Sequence, residues 1–254
     1  MGFRSKPPLR LTDGNSVWIY EEPDKSHQYV MTVDVSKGRG QDYSTFNVID
    51  ISSRPFKQVA VYRNNLISPL LFPNIIYKYA SFYNQAWVVV ESNDQGTLVT
   101  NGLYHELEYE NLFIESTVKA NRLGVEMNRK VKRIGCSGIK DLLEERKLEI
   151  VDQNTILECS TFIAKGQSYE ASDGNHDDLM MNLVMFGYFA TGNYFQQLTD
   201  VDIRAMLFEQ QMKQMEDDVL PFGFVDDGIA AVEEQDVRDR WMRDNQITTW
   251  ESQY

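Results

Sequence analysis

An α/β fold, with a mixed sheet flanked by helices, is what this sequence predicts, and three observations predict it. Three apolar, β-branched runs follow one another early, "YVMTVDV", "YSTFNVIDI" and "FKQVAVYR", joined by short connections as in an antiparallel meander. Segments with helical spacing then alternate with short apolar strands. Late in the chain "HDDLMMNLVMFGYFA" is apolar all round, which requires a helix buried against other elements.

Taken in order, residues 1–28 are polar and irregular, with Pro7, Pro8 and Pro23, and read as a linker or entry arm. After the meander, "SPLLFPNIIYKYASFYN" has helical spacing, with Ser68 as a cap candidate and Pro69 in the first turn, where its missing N–H costs nothing. "AWVVVES" is too short and too β-branched for a helix and reads as a buried strand ending at Glu91. "GTLVTNGLYHEL" is expected to be helical and "NLFIES" a strand. "SGIKDLLEERK" is expected to form a helix capped by Ser137, "LEIVD" a strand, and "NTILECSTFIAKG" a helix capped by Asn154 and closed by Gly166. "QSYEA" is a further short strand. The expected organisation is a linker or entry arm over 1–28, one domain over 29–199, and an acidic extension over 200–254.

Composition narrows the function. The apolar runs fall far short of the roughly 20 residues that span a bilayer, so no membrane partner is expected. Met1 is followed by a polar, basic stretch rather than a leader, and Cys136 and Cys159 have no metal-site or disulfide spacing, which points to a reduced, cytosolic setting. The net charge of −13 is unevenly spread: residues 200–254 hold 14 acidic and 5 basic residues, leaving −4 to the first 199. Lys119, Arg122, Arg129, Lys130, Lys132, Arg133 and Lys140 stand against the single acid Glu126. A polyanion responds to such local charge within a Debye length of about 8 Å. Taken alone, the cluster also reads as a solvated face.

The Gly-rich stretch "SKGRGQDYS" is not a phosphate-cradling P-loop. That motif needs G-x-x-x-x-G-K-[ST] opening a helix, whereas here a strand follows. The glycines read as a loose hairpin connection, and no ATP hydrolysis is expected of this chain. What remains are carboxylates at the edges of core elements: Asp34 ending the first strand, Glu91 ending a later buried strand, and Asp177 and Asp178 opening the buried helix. A carboxylate there is costly unless paired or bound to metal, and clustered carboxylates repel. No lysine or arginine partner is evident in the sequence. Hard oxygen ligands with few histidines suit Mg²⁺, with Mn²⁺ substituting, rather than zinc. Asp42 reads either as an auxiliary ligand or as a turn cap, and His176 either as a residue ordering water or phosphate or as a turn histidine. Lys37 and Arg39 are positioned for DNA phosphates or for solvent. His27 and His105 have no evident partners.

The order of elements, with acids on the first and fourth strands and on a late helix, matches the ribonuclease H-like fold. The chain resembles the C-terminal nuclease domain of the large terminase, the DNA-packaging motor subunit of T-even-like tailed phages. The resemblance rests on "TVDVSKGRGQDYSTFNVID", "VVVESNDQG", "GVEMNRKVKRIGCSGIKDLLEERKLEI" and "GNHDDLMMNLVMFGYF", and covers roughly residues 28–195. It implies an endonuclease that cuts concatemeric double-stranded viral DNA by two-metal hydrolysis with little sequence preference. The acidic triad falls on Asp34, Glu91 and the Asp177–Asp178 pair, and backbone contacts on Lys37, Arg39, Lys119, Arg122, Arg129, Lys130, Lys132 and Arg133. The resemblance further implies a preceding ATPase domain absent here, the phage portal and small terminase as partners, and the host cytoplasm at the viral prohead as the setting. The start "MG", leading into linker-like sequence, reads as an excised piece. Two other functions are compatible with the residues: another nuclease or recombinase of the same fold, such as a junction resolvase, and a non-catalytic module docking DNA or the portal.

Overall fold

The structure, a computed structural model, describes residues 2–116, 121–166 and 168–199. Lys119 and the acidic extension over 200–254 lie outside the described residues.

The expected meander forms. Strands β3 (Tyr29–Asp34), β4 (Ser44–Asp50) and β5 (Phe56–Asn64) pair antiparallel, with Asp34 opposite Thr45 and Ser44 opposite Asn64. Strand β6 (Trp87–Val90) returns parallel to β3, in register from Val30↔Trp87 to Val33↔Val90. A parallel return needs a crossover, and helix α1 (Phe72–Phe82) lies within it.

Residues 1–28 do not form a linker. They contribute β1 (Arg10–Thr12) and β2 (Val17–Ile19), a hairpin whose second strand pairs with β5, Val17 opposite Tyr62. Three-residue strands carry too few alternating positions to register as a period, which is why the polar composition dominated the sequence reading. The sheet order is β1-β2-β5-β4-β3-β6, and β9 (Leu148–Glu149) pairs parallel with the start of β5.

Several helix ends differ from expectation. Ser68 is not the cap of α1; it closes the preceding turn, its carbonyl accepting from Leu71 and Phe72 N–H, and Pro73, not Pro69, occupies the helix's first turn. The "GTLVTNGLYHEL" segment starts as α2 (Gly96–Asn101) and widens into a π turn over Gly102–Glu106. A small hairpin of β7 (Ile114–Ser116) and β8 (Asn121–Leu123) follows. Helix α3 (Arg129–Glu144) begins eight residues before Ser137, which lies inside it; the cap is Asn128, whose Oδ1 accepts from Lys130 and Val131 N–H at 3.0 Å each. Gly135 and Gly138 are packing contacts: a Cβ at Gly135 would lie 2.2 Å from the Val184 carbonyl, and one at Gly138 2.6 Å from that of Gly187.

Asp152, not Asn154, caps α4 (Gln153–Thr161), its Oδ2 accepting from Thr155 N–H at 2.7 Å. The remainder of that segment turns back as a hairpin, β10 (Phe162–Lys165) against β11 (Ser168–Ala171), so Gly166 belongs to a hairpin turn rather than to a helix end. The buried helix forms as α5 (Asp178–Ala190), followed by α6 (Asn193–Thr199).

The sheet is covered on both faces. Met31, Val33, Phe46, Val48 and Tyr62 pack toward α1, while Val30, Ile49 and Val89 pack toward α5, with Leu183, Val184 and Phe186. Among the described residues no helix is long and apolar enough to cross a membrane.

Candidate metal centre

Strand alternation decides which way the acids face. On β3, Val30 and Thr32 share a face with Asp34 and lie on the α5 side, while Met31 and Val33 point to the α1 side. Glu91 follows β6 in step with Val89, also on the α5 side, and its N–H donates to the Val33 carbonyl at 2.9 Å. Both carboxylates therefore emerge on one face at the same end of adjacent parallel strands.

A buried polar network brings Asp178 to that end. Thr45, opposite Asp34, donates from Oγ1 to the Asp178 carbonyl at 3.2 Å and accepts from Asn182 Nδ2 at 2.6 Å. Asn47 donates to the Leu179 carbonyl at 3.3 Å. Thr45, Asn47 and Asn182 are fully buried, so these bonds are the alternative to orphaned polar groups.

Each carboxyl is held above its ordinary pKa. For Asp34 burial is the main cause, followed by the charges of Glu91, Asp178 and Asp177, with the Val35 N–H opposing. Burial pushes Glu91 up to about 7; Lys132 pulls it down, and Asp177 and Asp94 raise it. Burial pushes Asp178 up to about 6, against the Tyr43 backbone N–H and His176, and with Asp42 and Asp177 raising it. Lys132 on α3 is thus a cationic neighbour of Glu91 that the sequence did not reveal.

Asp34 and Asp178 line a cleft of about 380 Å³ together with Asp42, Tyr43, Lys37, Arg39, Asp94 and Gln95. His176 stands beside Asp178, Nδ1 to Oδ2 at 3.6 Å, its ring edge-on to Tyr43. Asp177 occupies the cap position of α5 but makes no cap bond; its Oδ2 accepts from Ala171 N–H of the β10–β11 hairpin at 3.3 Å. The cap is supplied instead by Glu158 of α4, whose Oε2 accepts from Leu179 N–H at 2.7 Å and Met180 N–H at 3.1 Å. Burial pushes Glu158 to about 7, against Met180 N–H and Arg63.

The donor set fits a hard divalent cation. It is all oxygen and mutually repelling, and Asp178 Oδ2 is buried with no hydrogen-bond partner. Among the described residues no three such groups yet stand at ligating distances. The residues missed from sequence are Asp94, Glu158 and the role of Lys132. Asp94 alone had a usable signal, three residues after Glu91 in the same loop.

The structure divides the basic cluster. Arg129, Lys130 and Arg133 are exposed, make no ion pair among the described residues, and line a cleft of about 590 Å³ with Ala164, Gly166, Ser168 and Tyr169 of the hairpin. Lys132 turns the other way, toward Glu91, with Nζ 5.5 Å from the centre of the Phe162 ring. Arg122 is paired with Glu126, and Lys140 with Glu144. Away from the cleft, His27 has a partner after all, Asp50, at 2.6 Å.

A family model described as the terminase RNaseH-like domain matches residues 31–186, which include all four acids. The chain belongs to this family. Its architecture is the ribonuclease H-like one, and solved structures share it. The large terminase nuclease from thermophilic phage G20c with bound magnesium superimposes with a TM-score of 0.56 at 19% identity, over 72% of this chain and 92% of that one. The large terminase nuclease domain of Thermus phage P74-26 does so with a TM-score of 0.55 at 20% identity, over 74% and 92%. At these identities the likeness concerns the fold of this terminase RNaseH-like domain.

Proposed function

We propose that this chain is a divalent-metal-dependent endonuclease that cuts double-stranded viral DNA during genome packaging, with little sequence preference. One observation carries the reading: Asp34, Glu91 and Asp178 come from three separate elements and converge on one face at one end of the sheet, with their pKa values raised by burial and by neighbouring acids. Family membership and the magnesium-bound G20c nuclease of like fold support it.

In this reading Asp34, Glu91 and Asp178 hold Mg²⁺ or Mn²⁺, and Asp177 and Asp42 assist. Bound divalent ions supply charge neutralisation and water activation for in-line displacement at phosphorus. Lys37 and Arg39, at the cleft, attract and orient the scissile phosphate. Arg129, Lys130 and Arg133 hold the backbone beside the hairpin, a kind of contact that positions DNA without reading bases. Lys132 limits the repulsion at Glu91. In the packaging machine the domain would work with a terminase ATPase domain, the small terminase and the portal, at the prohead in the host cytoplasm, with residues 200–254 as a separate acidic extension.

Cleavage of supercoiled plasmid tests this. Nicked and linear products are expected with Mg²⁺ or Mn²⁺ and none in EDTA. Retained DNA binding with no cleavage in Mn²⁺ would instead identify a docking module. Preferential cutting of four-way junctions over plain duplex would identify a resolvase.

A further inference from the structure

The start of α5 has three acids on it or contacting it, and they do different things. The first backbone N–H groups of a helix have no partner within it and are commonly taken by a side chain at its own N-terminus. Here neither local acid does so. Asp177 is turned to Ala171 N–H of the hairpin, and Asp178 Oδ2 has no hydrogen-bond partner. The N–H groups of Leu179 and Met180 are taken by Glu158, twenty-one residues earlier on a different helix and only 5% exposed. Glu158 is itself held: Arg63 Nη2 lies 3.5 Å from its other oxygen, and the Arg63 guanidinium stacks 3.8 Å above the centre of the Tyr43 ring. Tyr43 closes the circuit, because its backbone N–H faces the Asp178 carboxylate and its ring packs on His176.

We propose that Glu158 is a positioning residue for Asp178: by capping α5 from outside, it leaves the Asp178 carboxylate free of the helix's own N–H groups and aimed at the Asp34 end of the cleft. Arg63 fixes Glu158 and, through Tyr43, ties the cap to the loop that flanks the cleft. This inference rests on the reading of the cleft as a divalent-metal site, and its role is that of the outer partners that orient ligands around metals.

The test measures Mn²⁺ binding by the loss of the free-ion paramagnetic resonance signal, alongside DNA affinity, turnover and melting temperature in EDTA. Glu158→Ala is expected to weaken Mn²⁺ binding and turnover by about tenfold or more, with DNA affinity unchanged. Glu158→Gln keeps a carbonyl oxygen for the same two N–H groups and is expected to stay within roughly threefold of wild type. Ile76→Ala, in the core on the opposite face of the sheet, serves as the stability comparison: its melting temperature should fall while its Mn²⁺ affinity does not. If Glu158→Ala does not fold, Arg63→Gln, which loosens Glu158 without removing it, should weaken Mn²⁺ binding by roughly threefold.

Wild-type Mn²⁺ affinity in Glu158→Ala, or in Arg63→Gln where that is the variant measured, would overturn the proposal. So would an equal loss in Ile76→Ala, since affinity would then follow global stability, or a loss in Glu158→Gln as large as in Glu158→Ala. Wild-type protein that takes up no Mn²⁺ would overturn the metal reading itself, a result distinct from any ranking of the variants.

Discussion

Replacing Glu91 with glutamine should make the apo protein more stable and catalytically dead. The magnitude follows from the site. Burial holds the Glu91 carboxyl at about 7 in the fold, against an ordinary value of 4.5, even with Lys132 nearby. A raised carboxyl pKa means the fold prefers the protonated acid, so stability present below pH 4.5 is lost as pH rises to about 7 and then stays lost. At about 1.4 kcal/mol per pH unit, the ionised carboxylate costs the apo fold about 3 kcal/mol at pH 8. At pH 5.5, where only part of that window has been crossed, the cost is less than half as large. Glu91→Gln removes the ionisation and with it this cost. Urea unfolding in EDTA should show the variant more stable than wild type, with a gap that roughly doubles between pH 5.5 and 8. Adding Mn²⁺ at about a thousand times its Kd should reverse the ranking, because that stabilises the binding-competent protein by about 4 kcal/mol and the amide binds hard cations poorly. A gap that is flat with pH, or a variant less stable than wild type at pH 8 in EDTA, would refute the claim that Glu91 is a desolvated carboxylate kept for a cation.

Asp34→Asn should likewise abolish cleavage without lowering the melting temperature in EDTA, since it removes the most hemmed-in of the charges; cleavage near the wild-type rate would remove Asp34 from the site. Asp178→Asn should be inactive with stability intact, whereas Asp177→Ala, which releases the hairpin at Ala171, should cost about 1 kcal/mol and retain part of the activity; an inactive, fully stable Asp177→Ala beside an active Asp178→Asn would show the roles to be reversed. Glu at Arg129, Lys130 and Arg133 together should weaken binding to all duplex sequences alike and flatten the slope of log affinity against log salt by up to about 3; an unchanged slope would return these cations to a merely solvated face.

Local physics alone determined a good deal about this protein. The period-2 runs of β3, β4 and β5, the β-branched brevity of β6 and the uniformly apolar α5 each bury enough side chain to declare themselves within a few residues. Their order, with acids at the ends of β3 and β6 and at the start of α5, was enough to name the fold and to single out those carboxylates as candidates. Signals that depend on distant partners were misread. The hairpin of β1 and β2 looked like a linker because its strands are three residues each, too short for a period to show, and are held in the sheet by the pairing of Val17–Ile19 with β5. The helix expected from Ser137 begins eight residues earlier, at Arg129, because Gly135 and Gly138, locally unfavourable in a helix, admit the backbone of α5. Only the tertiary structure decided what each acid is partnered with. Lys132 faces Glu91 because α3 begins at Arg129, and Glu158 caps α5 because α4 lies beside it. A carboxylate's sequence neighbours say where it sits along an element, but its free energy depends on the charges, donors and water that other elements bring to it or exclude.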